Sequence, residues 1–209
     1  MKKLLVLMAL MTVSTLVATS ASAQSVTIRG VRLSGSGCGP ATASAVTTAD
    51  GKTMSVIFDN YSVEIGNGSS NPQARSLQKD CRVMIDVDVP AGFQYALEQT
   101  DYRGFVALPA SATGMHRFIQ NVPSQPIVSM REAQLKGPIN QNYSVSVKQK
   151  PGRYIYSACN SKTQTIDLMS QLMVAYLPNT TDRSIAMINL DTIDTNVSSS
   201  FQFSWRRCQ

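Results

Sequence analysis

A single histidine, a single tryptophan and only 15% charged side chains stand in a chain of 209 residues. One imidazole, His116, excludes any site built on two, and with it the two-histidine zinc helix of metalloproteases. The G-x-x-x-x-G-K-[ST] phosphate loop is absent, so nucleotide hydrolysis has no foundation. Without a G-x-S-x-G elbow, nothing supplies a serine nucleophile to His116. No C-x-x-C pair occurs, which argues against a zinc ribbon or a thioredoxin-type redox site. Basic residues form no run; the densest spots are Lys148-Gln149-Lys150 and Arg206-Arg207. A net charge of +6 without a basic stripe predicts no nucleic-acid partner. No cofactor, metal site or catalytic constellation is expected from these absences.

What is present begins with a leader. Met1-Lys2-Lys3 precedes an apolar run from Leu4 to Ala18 and the small-x-small signal Ala21-Ser22-Ala23. That order predicts a signal peptide, 1–23, cut after Ala23, and a secreted or periplasmic chain of 24–209. Thr12, Ser14 and Thr15 interrupt the run, which falls short of the roughly 20 apolar residues of a spanning helix. No later stretch is apolar enough to cross a bilayer, so no membrane span is expected in the mature chain. The hydrophobic content of 43% suits one globular domain.

Cys38, Cys81, Cys159 and Cys208 all lie in the exported part. An even number in an oxidising compartment predicts two disulfides. Three pairings are open, and sequential pairing, Cys38 with Cys81 and Cys159 with Cys208, is the expectation.

Period-two alternation dominates the remainder. Val83, Ile85, Val87 and Val89 share one side of a segment whose other side carries Arg82, Asp86 and Asp88. Segments 142–148 and 200–205 repeat the pattern, and less regular strands are expected at 26–33, 53–58, 61–65, 93–98, 102–108, 114–120, 153–158, 164–176 and 184–190. Turn signals separate them at Ala49-Asp50-Gly51-Lys52, Gly66-Asn67-Gly68, Pro90-Ala91-Gly92, Gly137-Pro138 and Pro151-Gly152. Gln73–Lys79 has room for two helical turns. Segment 166–177 fits helical and strand spacing alike and is assigned strand. Residues 34–45 and 66–72 read as surface loops. The expected fold is all-β: a single antiparallel β-sandwich or jelly-roll-like domain.

Candidate sites are few. Asp86 and Asp88 point the same way from one strand, as calcium ligands or half of a glycosidase pair would, or as a polar solvent face does. Asp191 and Asp194 bracket a probable loop but lack the glycine spacing of a calcium-binding loop. His116 beside Arg117 would stay neutral, as a general base or as an ordinary surface residue. The triplets at Asn60, Asn67, Asn142, Asn179 and Asn196 have the N-x-[ST] form, but the leader looks bacterial and they receive no role. Tyr102, Arg103 and Phe105 form an aromatic-plus-arginine patch able to stack on sugar rings or hold a carboxylate. Tyr102 and Phe105 point to opposite sides of their strand, and Asp101 shares Arg103's side and is expected to pair with it.

Several segments together resemble a known family. They are Gly37-Cys38-Gly39-Pro40, Val89-Pro90-Ala91-Gly92-Phe93-Gln94-Tyr95-Ala96, Asp101-Tyr102-Arg103-Gly104-Phe105-Val106-Ala107-Leu108, Gly137-Pro138, Ser157-Ala158-Cys159-Asn160 and Trp205-Arg206-Arg207-Cys208. In this order, with a strand opening at Cys81, the chain resembles the small secreted four-cysteine family of fungi and bacteria known as domain of unknown function 4360. Gly39 separates Cys38 from Pro40, and Ala158 and Asn160 flank Cys159, where that family has Cys-Pro and Pro-Cys-Gly. The resemblance implies secretion, two disulfides and a mostly β fold, and it brings no catalytic residues. The expected function is a non-enzymatic binding module for a polysaccharide or cell-envelope component. The rival readings are a cell-wall hydrolase using carboxylates from Asp86, Asp88, Glu98 and Asp101, and a secreted toxin or structural envelope protein.

Overall fold

The computed structural model describes residues 27–47, 53–121, 128–150, 154–159, 163–190 and 199–208. The leader 1–23, the turns at Ala49–Lys52 and Pro151-Gly152, Asp191, Asp194 and Asn196 lie outside the described residues. All ordered elements among the described residues are antiparallel strands, arranged in two sheets.

The five-stranded sheet has the order β1 (Thr27–Ser34), β5 (Ser76–Asp88), β10 (Thr163–Tyr176), β7 (Ala112–Asn121) and β8 (Val128–Lys136). The seven-stranded sheet is centred on β6 (Phe93–Leu108). One side of β6 carries β9 (Ile139–Lys148). The other side pairs first with β12 (Ser199–Arg207), as far as Tyr102, and then with β11 (Ala186–Leu190), from Gly104. Beyond them lie β4 (Tyr61–Ile65), paired to β11, and β3 (Thr53–Phe58), paired to β12, with β2 (Ala43–Thr47) outermost.

Alternating positions of both sheets interdigitate as one core. Val83, Ile85 and Val87 of β5 and Ile166, Leu168, Leu172 and Val174 of β10 face Val63, Ile65, Val106, Ile188 and Leu190 of the opposite sheet's strands. Complete burial of such side chains contributes about 1.5–3 kcal/mol each. The segment 164–176 is therefore strand, because its even positions bury and its odd positions do not. Gln73–Lys79 forms no helix: residues from Ser76 onward extend β5, which pairs with β10 along its whole length.

Four expectations change. The strands expected at 93–98 and 102–108 are one continuous β6, without a tight connection. A bulge opposite Gln202 and Phe203 makes Tyr95 and Leu97 face inward before it and Thr100 and Tyr102 after it, so the phase slips without a turn. Residues 34–45 are not wholly loop, since β2 begins at Ala43, and Cys38 within this stretch is buried. Residues 154–158 form no strand, although Ser157 is tied to β6: its N–H donates to the Tyr95 carbonyl (2.8 Å) and its Oγ accepts from the Tyr95 N–H (3.1 Å). Strand β8 was not expected; among its described side chains Ala133 and Leu135 alone are partly buried.

Both disulfides form as the sequential pairing expects. Cys38–Cys81 joins the loop after β1 to β5 (Cα–Cα 5.2 Å), and Cys159–Cys208 joins the 154–159 segment to the end of β12 (Cα–Cα 5.7 Å).

Candidate ligand-binding face

The outer surface of the seven-stranded sheet brings the predicted patch into view. Beyond the bulge, β6 turns Asp101, Arg103, Phe105 and Ala107 outward, while Tyr102, Val106 and Leu108 enter the core. In the register with β9, Ser146 lies opposite Asp101, Ser144 opposite Arg103 and Asn142 opposite Phe105. All three partners are exposed, as are Asn140 and Lys148 at either end. Arg103, Asn142 and Ser144 line a depression of about 220 Å³, floored by Gly104 and Tyr143.

Arg103 and Phe105 thus share a face, but Tyr102 does not join them. It is 5% exposed, and its ring lies 4.3 Å from that of Phe118 and 5.3 Å from that of His116, centroid to centroid. Burial pushes its phenol pKa well up, so it stays neutral. The expected Asp101–Arg103 pair does not form. Asp101 instead accepts from Gln99 Nε2 at both oxygens, at 2.9 and 2.7 Å.

At the other end of the same face lies a group that the sequence reading did not single out. Arg206 sits 3.8 Å above the Tyr156 ring and donates from Nε to Gln94 Oε1 at 3.1 Å. Tyr154 packs edge-on against Tyr156, with centroids 6.1 Å apart, and donates to Glu98 Oε1 at 3.0 Å. The signals available were the Tyr154-Ile155-Tyr156 alternation and the adjacent Arg206-Arg207. From Gln94 to Phe105, β6 runs for about 35 Å, which sets the length of the face.

The carboxylates proposed for hydrolysis do not assemble. As a set of four they are split between the two sheets: Asp86 and Asp88 lie on the outer surface of the five-stranded sheet, whereas Glu98 and Asp101 belong to β6 of the other sheet, where Glu98 accepts from Tyr154 and Asp101 from Gln99. Asp86 accepts from Thr165 Oγ1 (2.6 Å) and is ion-paired with Arg32; Asp88 accepts from Thr163 Oγ1 (2.8 Å) and is ion-paired with Arg29. The threonine hydroxyls, then the arginines, hold both carboxyls below the usual range. Arg82 with Asp167 and Arg117 with Glu132 continue this paired surface. Among the described residues, no group of three or more His, Cys, Asp or Glu could hold a metal ion.

His116 is no surface residue. It is fully buried in β7, with Nε2 2.8 Å from Ser170 Oγ and Nδ1 3.1 Å from the Tyr143 hydroxyl. Burial holds its pKa well below 6.5, so desolvation, rather than the charge of Arg117, keeps it neutral. Arg117 points away and pairs with Glu132.

A two-disulfide all-β sandwich with a polar, uncovered outer face is thus the class of protein at hand. The chain belongs to the family described as domain of unknown function (DUF4360), whose model matches residues 24–208. It is similar to an "Uncharacterized secreted protein" of Arthroderma benhamiae, 28% identical over 182 residues, covering 87% of this chain and 71% of that protein. A solved structure of TmCBM61 in complex with beta-1,4-galactotriose aligns with 86% of this chain and 90% of its own, at a TM-score of 0.32 and 8% identity. That likeness is too distant to carry an argument about function.

Proposed function

We propose that the protein is an exported, non-catalytic binding module that holds a polysaccharide or another cell-envelope component on the outer face of its seven-stranded sheet. The observation that carries this reading is the exposed array of Asn140, Asn142, Ser144 and Ser146 beside Arg103 and Phe105. Amides and hydroxyls donate and accept hydrogen bonds, as a sugar's hydroxyls require, and the partly buried Phe105 side chain leaves a smaller apolar surface for a pyranose face. β9 on one side and β11 on the other fix the β6 backbone around Arg103 and Phe105 before ligand arrives, while the four polar residues stand on β9, which among the described residues pairs with β6 alone.

Export is supported by the leader pattern, the two closed disulfides and the secreted fungal relative. The family match opens at residue 24, next to the proposed cut after Ala23. No helix among the described residues is long and apolar enough to cross a membrane.

The test uses oxidised 24–209 mixed with insoluble peptidoglycan, chitin and glucan, following protein depletion and soluble sugar together. Depletion without sugar release, weakened by Phe105→Ala and Asn142→Ala at unchanged melting temperature, is the expected result. Sugar release would make the protein an enzyme. Depletion indifferent to both substitutions would move the site off this face.

A further inference from the structure

We infer that Arg103 is an anion-reading subsite of this face and that the polysaccharide it serves is an acidic one, carrying carboxylates on its sugar units. The inference rests on the binding reading above and specifies its ligand class.

The other described arginines are engaged, and not all with a carboxylate: Arg131 donates to the Met130 carbonyl, and Arg183 and Arg207 lie over the rings of Tyr176 and Phe93. On the five-stranded sheet, Arg29, Arg32, Arg82 and Arg117 are each closed on a carboxylate. Arg75 donates to the carbonyls of Thr180 and Leu177, and Arg206 is spent on Tyr156 and Gln94. Arg103 is exposed and has no such partner among the described residues. The acid best placed to take it, Asp101, is turned to Gln99 instead. Opposite it on β9 stands Ser144, and the outward positions of β9 from Asn140 to Lys148 include no acid.

A guanidinium left open in a depression presents a planar fork of donors matched to a carboxylate's two oxygens. Asn142 and Ser144 stand beside it in the same depression, able to take the hydroxyls of the unit that bears the carboxylate. Phe105 is the next outward residue of the strand. A uronate residue combines these three requirements: one carboxylate, flanking hydroxyls and an apolar ring face. Without Lys2 and Lys3 of the leader the chain keeps 17 basic against 13 acidic side chains, and this formal charge of +4 adds a mild longer-range attraction for a polyanion.

The experiment measures binding of oxidised 24–209 to polygalacturonate and to its fully methyl-esterified form, which keeps the backbone and removes the charge. The expected result is binding to the acid about tenfold or more tighter than to the ester. Arg103→Gln should abolish that preference at unchanged melting temperature, and Arg103→Lys should retain only part of it. Equal affinity of the unsubstituted protein for acid and ester would overturn the inference and leave the binding reading standing. So would Phe105-dependent binding to chitin or glucan with none to polygalacturonate. A preference for the acid that survives Arg103→Gln would overturn the assignment to Arg103. Failure to bind any of these polymers would remove both readings.

Discussion

His116 Nε2 and Ser170 Oγ meet at 2.8 Å in the middle of the sandwich, in the geometry of a base and a nucleophile but out of reach of any substrate. The other ring nitrogen faces the Tyr143 hydroxyl, which donates to the Asn189 carbonyl at 3.2 Å, and Tyr61 donates to the Ser170 carbonyl at 2.7 Å. A neutral imidazole protonated at Nδ1 satisfies every partner: Nδ1–H donates to Tyr143, and Ser170 donates to Nε2. The chain of bonds crosses from one sheet to the other, because His116 and Ser170 belong to the five-stranded sheet and Tyr61, Tyr143 and Asn189 to the seven-stranded one. Its role is to fix how the two sheets sit on each other. Ser170→Ala leaves Nε2 without a donor in the core and should lower unfolding free energy by about 1–3 kcal/mol. Denaturant unfolding at neutral pH checks this, and a change under 0.5 kcal/mol, within the usual scatter of surface substitutions, would deny the network that role.

The same histidine should make the fold sensitive to mild acid. Above its unfolded value of 6.5 the imidazole is neutral in both states, so stability is complete. As pH falls below 6.5, the unfolded chain takes up a proton that the buried ring resists. Stability then declines toward the lower folded-state value, by at most about 1.4 kcal/mol per pH unit for one proton. Asp86 and Asp167 act in a separate window. Held below 3.8, Asp86 chiefly by Thr165 and Asp167 chiefly by Arg82, they stabilise above 3.8 and lose that contribution as pH falls through their folded values. A stability slope between pH 6.5 and about 4.5 therefore belongs to His116. With one histidine in the chain, its ring proton resonance is unmistakable, and in the folded protein it should not titrate near 6.5.

The strands were legible where alternation is uninterrupted and both flanks bury, as in β5 and β10. Phase slips and long-range partners were not legible. Glu98 sits within the bulge, and its surroundings made one strand read as two. His116 read as surface because Arg117 follows it, yet adjacent strand residues face opposite sides, and the polar atoms that satisfy the imidazole come from residues 27 and 54 positions away. Arg103 and Phe105 emerged from alternation alone. Tyr102 was grouped with them by proximity in sequence, although the same alternation sends it inward. Tyr154, Tyr156 and Arg206 meet only because Ser157 docks on Tyr95 and Cys159 bonds Cys208, contacts between segments far apart in the chain.

The two disulfides should differ in accessibility rather than in their effect on the unfolded chain. Their sequence separations, 43 and 49 residues, give each a loop-closure contribution of about 4 kcal/mol in the chain-entropy model. Cys38 and Cys81 are 4% and 0% exposed, however, whereas Cys159 and Cys208 are only partly buried. Mild reductant under native conditions, followed by alkylation and peptide mass analysis, should label Cys159 and Cys208 first. Labelling of Cys38 and Cys81 should await global unfolding. Equal rates would show that the Cys38 loop opens locally.

Gly104 should tolerate no side chain, because it sits where β11 takes over from β12 as the neighbour of β6. A Cβ there would lie 1.9 Å from the Asn189 carbonyl oxygen and 3.0 Å from Tyr143 Cε1. The nearer atom is backbone, so the clash can be relieved only by moving β11 off β6, which disturbs the Asn189 Oδ1 bond to the Phe105 N–H (2.8 Å) and the Tyr143 bond to the Asn189 carbonyl. Gly104→Ala should cost about 2–3 kcal/mol or more. Gly30→Ala is the control: nothing lies within 4 Å of its Cβ position, so the substitution should be neutral or slightly stabilising. Because Gly104 separates Arg103 from Phe105, displacing β11 should also weaken ligand binding under conditions where the variant remains folded. If Gly104→Ala binds normally despite its lost stability, the ligand is held by β9 and Arg103 without help from the β11 side of the face.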